Sequence, residues 1–492
     1  MTDVSMVGRR EFIVAALGAA AGIPCSAHAA KTSDRRLRVG IVSDIHVTSE
    51  HDADIFETAL QRFDRERVDA VMVCGDLTTT GRKKELKAIA DVWKKVFRRN
   101  RRSDGGSVEK LFISGNHDVD GYFWPYSKFK DAIEAERESF FRHREEFWRE
   151  LFDEEYRPVV VKTIKGYTFV LKNWHARNGN DPFGTLGKGW KAEPNPLPDW
   201  FARHRGELPT DRPFFLVQHE PPAGTCTASV QDPQGFDNGT TTRLLSAFSN
   251  AFVISGHTHH TLVDETSIWQ GSFTSINAGC LRGYAFTGHG RENGHAFDDN
   301  MSPSKEMPRL DISAVQQGLL MDVFDSRVVF RRIDFKFGHS LGDDWVVPIG
   351  TTAARQYDPA ICRERVPAPQ FGASATVCCE KIVDGCDRAG VKHSQIEVRF
   401  PTVNGRNGSS ARAADYRVDL EIFMGGEPQV FATKRVYSPN GLLAPEQDIG
   451  DVICRFPMSG VPRGRSIRFT VRPVGYFGRE GRPVSSERQA FW

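Results

Sequence analysis

The stretch Leu111-Phe112-Ile113-Ser114-Gly115-Asn116-His117-Asp118 joins a short apolar run to a turn rich in polar side chains. Short aliphatic or aromatic runs that end in Gly, Asp or Asn are typical of strands buried on both faces. The chain repeats this arrangement, so we predict five such strands. The apolar runs are 39–42, 70–73, 111–113, 214–217 and 252–254, and they precede Asp44, Asp76, Asn116, His219 and His257.

These repeats predict a layered α/β fold in which the polar groups share one edge. In such folds, ligands bind beyond the carboxyl ends of the strands. A single Asp or His after a strand is usually a turn residue or a helix cap, but five in succession favour a functional site. The motifs are Asp44-Ile45-His46, Gly75-Asp76, Gly115-Asn116-His117-Asp118, His219 and Gly256-His257-Thr258-His259.

The side chains in these motifs supply carboxylate, imidazole and carboxamide groups, with no thiolate. This set suits Mn²⁺, Fe²⁺/³⁺ or Zn²⁺ and disfavours Cu⁺ or an iron–sulfur cluster. Two metal ions roughly 3.5–4 Å apart can hold both the attacking and the leaving oxygen of an in-line displacement. A water between them loses its proton near neutral pH and becomes the nucleophile, so no Ser or Cys nucleophile is required.

The motif order D-x-H, G-D, G-N-H-D, H, G-H-x-H resembles the calcineurin-like metallophosphoesterase superfamily, over roughly residues 37–335. The resemblance implies a four-layer α/β/β/α sandwich that hydrolyses phosphate esters with two divalent metal ions (Mn, Fe or Zn) and a bridging hydroxide. It also implies the ligands of each ion. The first ion would be held by Asp44, His46 and His259, the second by Asn116, His219 and His257, and Asp76 would bridge them.

The resemblance gives two further residues a catalytic role. His117 would stabilise the transition state or protonate the leaving oxygen, and Asp118 would orient its imidazole. The purple acid phosphatases of this superfamily place a Tyr where this chain has Thr79 and favour Gly where it has His46. We therefore expect no ferric-tyrosinate enzyme, and the pattern favours the phosphodiesterase branches.

The expected substrate is a small-molecule phosphate ester or diester. We predict a phosphodiesterase, and the alternatives are a phosphomonoesterase or nucleotidase, or a noncatalytic exported metal-binding adhesion protein. The His117–Asp118 pair counts against the noncatalytic alternative, because metal binding does not need it. The 65 Lys and Arg residues nearly balance the 63 Asp and Glu residues, and no basic and aromatic groove pattern is evident, so we expect no nucleic-acid partner.

The amino terminus predicts a signal peptide over residues 1–29. Arg9-Arg10-Glu11-Phe12 resembles a twin-arginine signal, although an ordinary Sec signal is the alternative. An Ala-rich apolar stretch follows, and Ala27-His28-Ala29 matches an A-x-A cleavage site. The apolar stretch is shorter than the about 20 residues that a transmembrane helix needs. We therefore expect export to the periplasm or the extracellular space, with no transmembrane segment.

The chain has 492 residues, more than one hydrophobic core usually organises, so we predict two domains. The catalytic domain would span 37–340 and close with a hairpin of 319–324 and 328–335. A Pro-containing linker would cover 341–372. Residues 373–492 alternate apolar and charged residues and predict a small antiparallel β-sandwich, whose ending resembles a fibronectin type III domain. Its expected role is to pack beside the active-site face or to bind a surface or glycan.

Loops and cysteines leave several alternatives open. Residues 173–175, 225–241 and 283–300 can line the cleft, and His175, His289 and His295 either touch substrate or are solvated loop residues. The stretch 131–155 predicts an amphipathic helix with an aromatic face. Eight cysteines follow the signal peptide, and an export compartment permits one or two disulfides in the carboxyl-terminal part.

Overall fold

The computed structural model describes residues 34–49, 52–119, 140–175, 193–227, 229, 237–282, 316–350, 355–386, 392–404, 412–438 and 450–491. The predicted signal peptide, residues 120–139 and the loop 283–300 lie outside these residues, so the expectations for them stay predictions. None of the described helices combines the length and the apolar character needed to cross a membrane.

Strands alternate with short helices through the first half of the described chain, and strands dominate the second half. The helices are α1 (Ala53–Arg65), α2 (Lys83–Val96), α3 (Asn116–Val119), α4 (Phe140–Phe152), α5 (Leu197–His204), α6 (Thr240–Leu245) and α7 (Pro359–Arg365). The strands are β1 (Arg35–Val42), β2 (Ala70–Cys74), β3 (Glu109–Ile113), β4 (Val159–Ile164), β5 (Tyr167–Lys172), β6 (Phe214–Val217), β7 (Ala251–Ser255), β8 (Ile268–Gln270), β9 (Thr274–Asn277), β10 (Gln317–Phe324), β11 (Arg327–Asp334), β12 (Trp345–Pro348), β13 (Cys378–Cys386), β14 (Lys392–Phe400), β15 (Ala413–Met424), β16 (Glu427–Tyr437), β17 (Val452–Pro457), β18 (Ile467–Gly475) and β19 (Val484–Ser485).

Two six-stranded sheets carry the five predicted strands. The first sheet has the order β12-β11-β10-β1-β2-β3, in which β1, β2 and β3 are parallel. The second has the order β4-β5-β6-β7-β9-β8, in which β5, β6, β7 and β9 are parallel. The predicted apolar runs are therefore confirmed as strands β1, β2, β3, β6 and β7. They divide between the two sheets, three in one and two in the other.

The predicted hairpin is also confirmed, because β10 and β11 pair antiparallel around the turn at Asp325-Ser326. It lies in the middle of the sheet, since β10 pairs with β1 and β11 pairs with β12. The hairpin and β12 together extend the first sheet by three strands beyond β1.

The two sheets pack face to face, and helices cover both outer faces. Alternate residues of β1, such as Val39 and Ile41, share the inner core with Phe215 and Ile254 of the second sheet. On the outer face of the first sheet, a second core joins Val71 to α1, α2 and α4. On the outer face of the second sheet, a third core includes residues of α5 and α6. The predicted four-layer α/β/β/α arrangement is thus confirmed.

Helix α4 confirms the predicted aromatic face over the described part of 131–155. Phe147, Trp148 and Phe152 are each 3% exposed or less and pack with the residues of α2. Trp148 and Phe152 lie with ring centroids 4.7 Å apart, and Phe152 meets Phe112 of β3 edge to face. These rings hold α4 against the sheet that carries the Asn116 loop.

The carboxyl-terminal strands form two antiparallel sheets, β13-β14-β17 and β16-β15-β18-β19. The predicted alternation is confirmed at Ile396, Val398 and Phe400 and again at Ile467, Phe469 and Val471, whose side chains are buried between the sheets. The β-sandwich is confirmed, whereas its likeness to a fibronectin type III domain stays a prediction.

The sandwich packs directly on the α/β part of the chain. Ala414, Tyr476 and Phe477 belong to the same core as Trp345 and the helix α7 residue Cys362. Arg479 donates from Nη1 to the carbonyl of Val366 at 2.9 Å. Arg35–Trp492 forms one compact unit, and the domain limits at 340 and 372 stay a prediction.

Three cysteines of the carboxyl-terminal part do not form the disulfides predicted there. Cys362, Cys378 and Cys379 are free thiols. Cys362 is buried in α7 and donates to the carbonyl of Gln356, while Cys378 and Cys379 are neighbours on β13. Adjacent residues of a strand point to opposite faces, so these two side chains cannot meet.

Candidate metal centre

All seven predicted ligands lie at the carboxyl-terminal edge of the two sheets. The loops after β1 and β2 run side by side, because the amides of Asp44 and His46 donate to the carbonyls of Gly75 and Asp76, each at 3.1 Å. The loop after β7 joins them, since the amide of His257 donates to the Asp44 carboxylate at 3.0 Å. Backbone pairing across both sheets therefore brings together residues that are far apart in the sequence.

Five of the seven predicted ligands have a left-handed backbone. Their φ values lie between 49° and 69°, in a region that few non-glycine residues adopt, although Asp and His are enriched there. Each such residue costs of order 1–3 kcal/mol and persists only where its surroundings enforce it. These residues are Asp44, His46, Asp76, His257 and His259. The sharp turns point their side chains back toward the space between the loops.

The first group contains Asp44, His46, Asp76 and His259, and one ligand atom from each lies within 4.8 Å of all the others. His259 Nε2 is 3.1 Å from Asp44 Oδ1 and 2.9 Å from His46 Nε2. His46 Nε2 is 3.7 Å from Asp76 Oδ2. Two imidazole nitrogens and two carboxylates thus converge on one point.

The second group contains Asp76, His219 and His257, again within 4.8 Å of one another. Asn116 completes it, because its Oδ1 lies 3.0 Å from His219 Nε2 and 3.0 Å from His257 Nδ1. His219 Nε2 is 3.1 Å from Asp76 Oδ2. Asp76 is therefore shared by both groups.

The tautomer of His219 is set by its second nitrogen. Its Nδ1 donates to the carbonyl of Cys74 at 2.7 Å, which directs Nε2 toward Asp76 and Asn116. Gly75 makes this close approach possible, since it has a φ of 95° and a Cβ there would lie 2.3 Å from His219 Nδ1. At Gly115 a Cβ would lie 2.2 Å from Asp76 Oδ1. The glycines of both motifs are thus needed for the side chains to meet.

Charge and burial show that this donor set fits cations. Asp44 and Asp76 are no more than 1% exposed, and in the described part of the chain their ion-pair partners are histidines. Burial opposes ionisation of Asp44, but the neighbouring His259 outweighs it and lowers the Asp44 pKa to about 2. Burial also opposes protonation of His219, yet Asp76 raises its pKa to about 9. The buried carboxylates of Asp44 and Asp76 therefore favour positive charge close to them.

The other two histidines are kept neutral. Burial lowers the pKa of His257 to about 4, helped by the nearby His219. Burial, with His117 and His259 close by, lowers the pKa of His46 well below its usual range. Neutral imidazoles present lone pairs, which is the form that binds a metal ion. The residues present accordingly fit two divalent ions, one in each group.

His117 lies beside the first group without belonging to it. Its ring meets the His46 ring edge to face with centroids 4.5 Å apart, and its backbone amide donates to Asp76 Oδ1 at 2.8 Å. The ring nitrogen Nδ1 lies 3.1 Å from the carbonyl of Thr79. We expected Asp118 to orient this ring, but the contact at Nδ1 comes from the Thr79 carbonyl.

Asp118 instead holds the loops together. Its buried carboxylate accepts hydrogen bonds from the amides of Leu77, Thr78 and Gly115 and from the Thr78 hydroxyl. Burial, reinforced by the charge of Asp76, raises the Asp118 pKa to about 7. Asp118 thus fixes the loop of Asp76 against the loop of Asn116 and His117.

Three residues near the centre had no assigned role in the motif series. Trp174 lies in the segment 173–175 that is predicted to line the cleft, and its ring centroid is 5.8 Å from that of His219 and 5.9 Å from that of His257. Cys280 and Arg282 follow β9 and contact the loops of Asp44, His46 and His259. Asn277-Ala278-Gly279-Cys280 ends a strand with Asn and Gly, the signal that marked the other motifs.

Two of the described substrate-loop candidates, His175 and Asp237, are buried. His175 is 7% exposed and stacks on Trp174 with centroids 6.2 Å apart. Asp237 is buried and accepts from the amide of Thr241. His289 and His295 lie outside the described residues. His175 is therefore a packed side chain rather than a solvated loop residue.

The family comparison agrees with this geometry. Residues 37–261 match the model of the calcineurin-like phosphoesterase family, a range that includes all nine predicted site residues. No curated protein matches the chain.

Several solved structures are similar to the chain. One is a dimetal phosphatase from Danio rerio, with 13% identity, 64% of this chain and 100% of that chain covered, and a TM-score of 0.36. A second is GAP50, the anchor in the inner membrane complex of Plasmodium, with 12% identity, 64% and 90% covered, and a TM-score of 0.35. A third is the NAD nucleotidase of Haemophilus influenzae, with 10% identity, 65% and 52% covered, and a TM-score of 0.32.

The motif order, the two ligand groups around Asp76 and the family match lead to one conclusion. This chain carries a calcineurin-like phosphoesterase domain over residues 37–261.

Proposed function

We propose that the protein is a phosphodiesterase that hydrolyses small phosphate diesters with two divalent metal ions. The observation that carries the proposal is the sharing of Asp76 by two buried ligand groups, with His117 at their edge. Asp44, His46, Asp76 and His259 would hold one ion, and Asp76, Asn116, His219 and His257 would hold the other. Bound there, two divalent ions would acidify a water between them and neutralise the charge of the phosphate.

The side of approach follows from exposure. The side chains of His46 and His259 are 12% and 21% exposed, whereas those of Asp44, Asp76 and His219 are at most 1% exposed. His117 is also partly exposed. A substrate would therefore reach the centre past His46, His117 and His259, while Trp174 packs against the rings of His219 and His257.

His117 is placed to handle the leaving group. Its Nδ1 lies 3.1 Å from the Thr79 carbonyl, which can only accept, so Nδ1 carries a proton and donates it there. In its doubly protonated form, His117 would donate the second proton, from Nε2, to the leaving oxygen or stabilise the charge of that oxygen in the transition state. The edge-to-face contact with His46 keeps the ring next to the first ligand group.

The preference for a diester rests on the resemblance at two positions. His46 stands in the first ligand group, where the resembling purple acid phosphatases favour Gly, and the hydroxyl of Thr79 donates to the His46 carbonyl at 2.9 Å. With Thr79 rather than Tyr, no phenolate is offered to a metal ion at that place. The D-x-H pattern of Asp44 and His46 resembles the phosphodiesterase-type branches.

The experiment that tests this function is a paired assay on the purified protein. Metal content is measured first, and then hydrolysis of bis-p-nitrophenyl phosphate is compared with that of p-nitrophenyl phosphate, with and without added Mn²⁺. About two bound ions and faster diester turnover support the proposal. Faster monoester turnover would replace it with a phosphatase or nucleotidase, and two bound ions with no turnover of either ester would favour the noncatalytic binding protein.

We also propose that the protein is exported with loss of residues 1–29. The Arg9-Arg10 pair, the apolar stretch and the Ala27-His28-Ala29 site support this proposal. Expression of the full chain in a bacterium with intact twin-arginine export should yield periplasmic protein that begins at residue 30. Amino-terminal sequencing checks this, and Arg9→Lys with Arg10→Lys should retain the protein in the cytoplasm.

A further inference from the structure

Cys280 lies between two of the loops that carry ligands of the first group. The segment that follows β9 is tied to the Asp44 loop, because the amides of Leu281 and Arg282 donate to the carbonyls of Ser43 and Asp44 at 2.9 Å and 3.1 Å. It is tied to the His259 loop as well, since Asn277 donates from Nδ2 to the Thr258 hydroxyl at 2.7 Å. A side chain in this segment can therefore act on both loops.

The Cys280 thiol contacts the side chain of His259 by a hydrogen bond. The thiol has one hydrogen, and its nearest backbone acceptor is the carbonyl of Arg282, 2.9 Å from Sγ. A thiol that donates to that carbonyl leaves its sulfur lone pairs to accept from the imidazole. The side chain is fully buried, so the sulfur holds a fixed position.

His259 needs such an anchor more than the other ligands do. Its backbone φ is 49° and its side chain is 21% exposed, so close packing does not fix its ring on every side. By contrast, His219 is fully buried and its ring is held by the Cys74 carbonyl. Outer partners of metal-binding histidines set the ring orientation, and losing one typically costs 10- to 100-fold in metal affinity.

We infer that Cys280 is a positioning residue for the first metal ion, and that its sulfur holds the His259 ring in the orientation that presents it to Asp44 and His46. The inference rests on the proposed two-metal site. It assigns to Cys280 a role outside the coordination sphere, since Asp44, His46, Asp76 and His259 form the group whose ligand atoms converge.

The test measures metal affinity rather than turnover. Metal-stripped full-length wild type, Cys280→Ala and Cys280→Ser are titrated with Mn²⁺ against a fluorescent chelator. Cys362→Ala is the matched control, because Cys362 is also buried and donates to a backbone carbonyl but contacts no predicted ligand. We expect Cys280→Ala to lower the affinity for one of the two Mn²⁺ ions by about 10- to 100-fold. The affinity of Cys280→Ser should be closer to that of wild type, and that of Cys362→Ala should be unchanged.

Two results would overturn the inference and leave the proposed function standing. One is a Cys280→Ala protein that binds both ions as tightly as wild type, and the other is an equal loss in Cys362→Ala. Wild-type protein that takes up fewer than two ions would instead refute the two-metal site itself. If Cys280→Ala folds poorly, Cys280→Val fills the same space without an acceptor, and the same titration decides.

Discussion

The Nε2 atoms of His46 and His259 lie 2.9 Å apart, although 213 residues separate them in the sequence. Two imidazolium ions cannot approach so closely in a buried site, because like charges repel strongly at low dielectric. The pKa of His46 is lowered accordingly, by burial and by its two neighbouring histidines. Both nitrogens belong to the first ligand group, whose residues would hold a cation there.

Asp76→Asn should lose metal, because the shared carboxylate contributes charge to both groups. We expect fewer than one equivalent of tightly bound metal, against about two for wild type, measured by elemental analysis after gel filtration. Asp334→Asn is the control, since Asp334 is equally buried but accepts hydrogen bonds from the amides of Lys336 and Phe337. Two equivalents in Asp76→Asn would refute the bridging role.

His117→Ala should keep both metal ions and lose most of its turnover. Its ring touches His46 but lies outside both ligand groups, and general acid catalysis typically contributes about 10²–10⁴-fold to a rate. The measurement is kcat for bis-p-nitrophenyl phosphate together with metal content in one preparation. His204→Ala, on the exposed end of α5, should behave as wild type. A metal-free His117→Ala would make His117 a ligand instead.

Gly75→Ala should destabilise the protein and weaken binding of the second metal ion. The new Cβ would lie 2.3 Å from His219 Nδ1, so the ring would have to leave the Cys74 carbonyl. Gly105→Ala is a matched control, because Gly105 has a similar φ of 88° with no neighbouring atom within 4 Å. It should cost only the backbone strain, about 1–2 kcal/mol. Equal losses in melting temperature and in metal content for both variants would contradict this account.

Lys172→Met should unfold the protein more easily, because Lys172 and Glu220 form an ion pair in which each side chain is 1% exposed. Removing one partner leaves a buried charge, and such changes typically cost about 3–5 kcal/mol. Replacing both, as in Lys172→Met with Glu220→Gln, should recover part of the loss. Urea unfolding of the apo proteins measures both changes. If the double variant were less stable than Lys172→Met, the buried charge would not be the cause.

The sequence predicted much of the fold because each buried strand has a recognisable local sequence pattern. Runs such as 70–73 and 252–254 are apolar on both faces and are followed by Gly, Asp or Asn. A few neighbouring residues therefore predict both where each strand lies and where it ends. The hairpin of β10 and β11 and the alternation of the carboxyl-terminal strands were visible for the same reason. The division of the five strands between two sheets could not be predicted, because the pairing partner of each strand depends on contacts between distant segments.

The sequence by itself determined the residue types that can bind metal, their order, and the glycines that accompany them. Only the tertiary structure decided which of these groups meet. It also decided that the Thr79 carbonyl rather than Asp118 contacts His117 Nδ1, and that Trp174 and Cys280 contact ligand side chains. A motif is a local property of the chain, whereas an outer contact joins loops from separate strands. Backbone carbonyls, moreover, carry no residue identity, so no sequence pattern can reveal which one accepts a hydrogen bond.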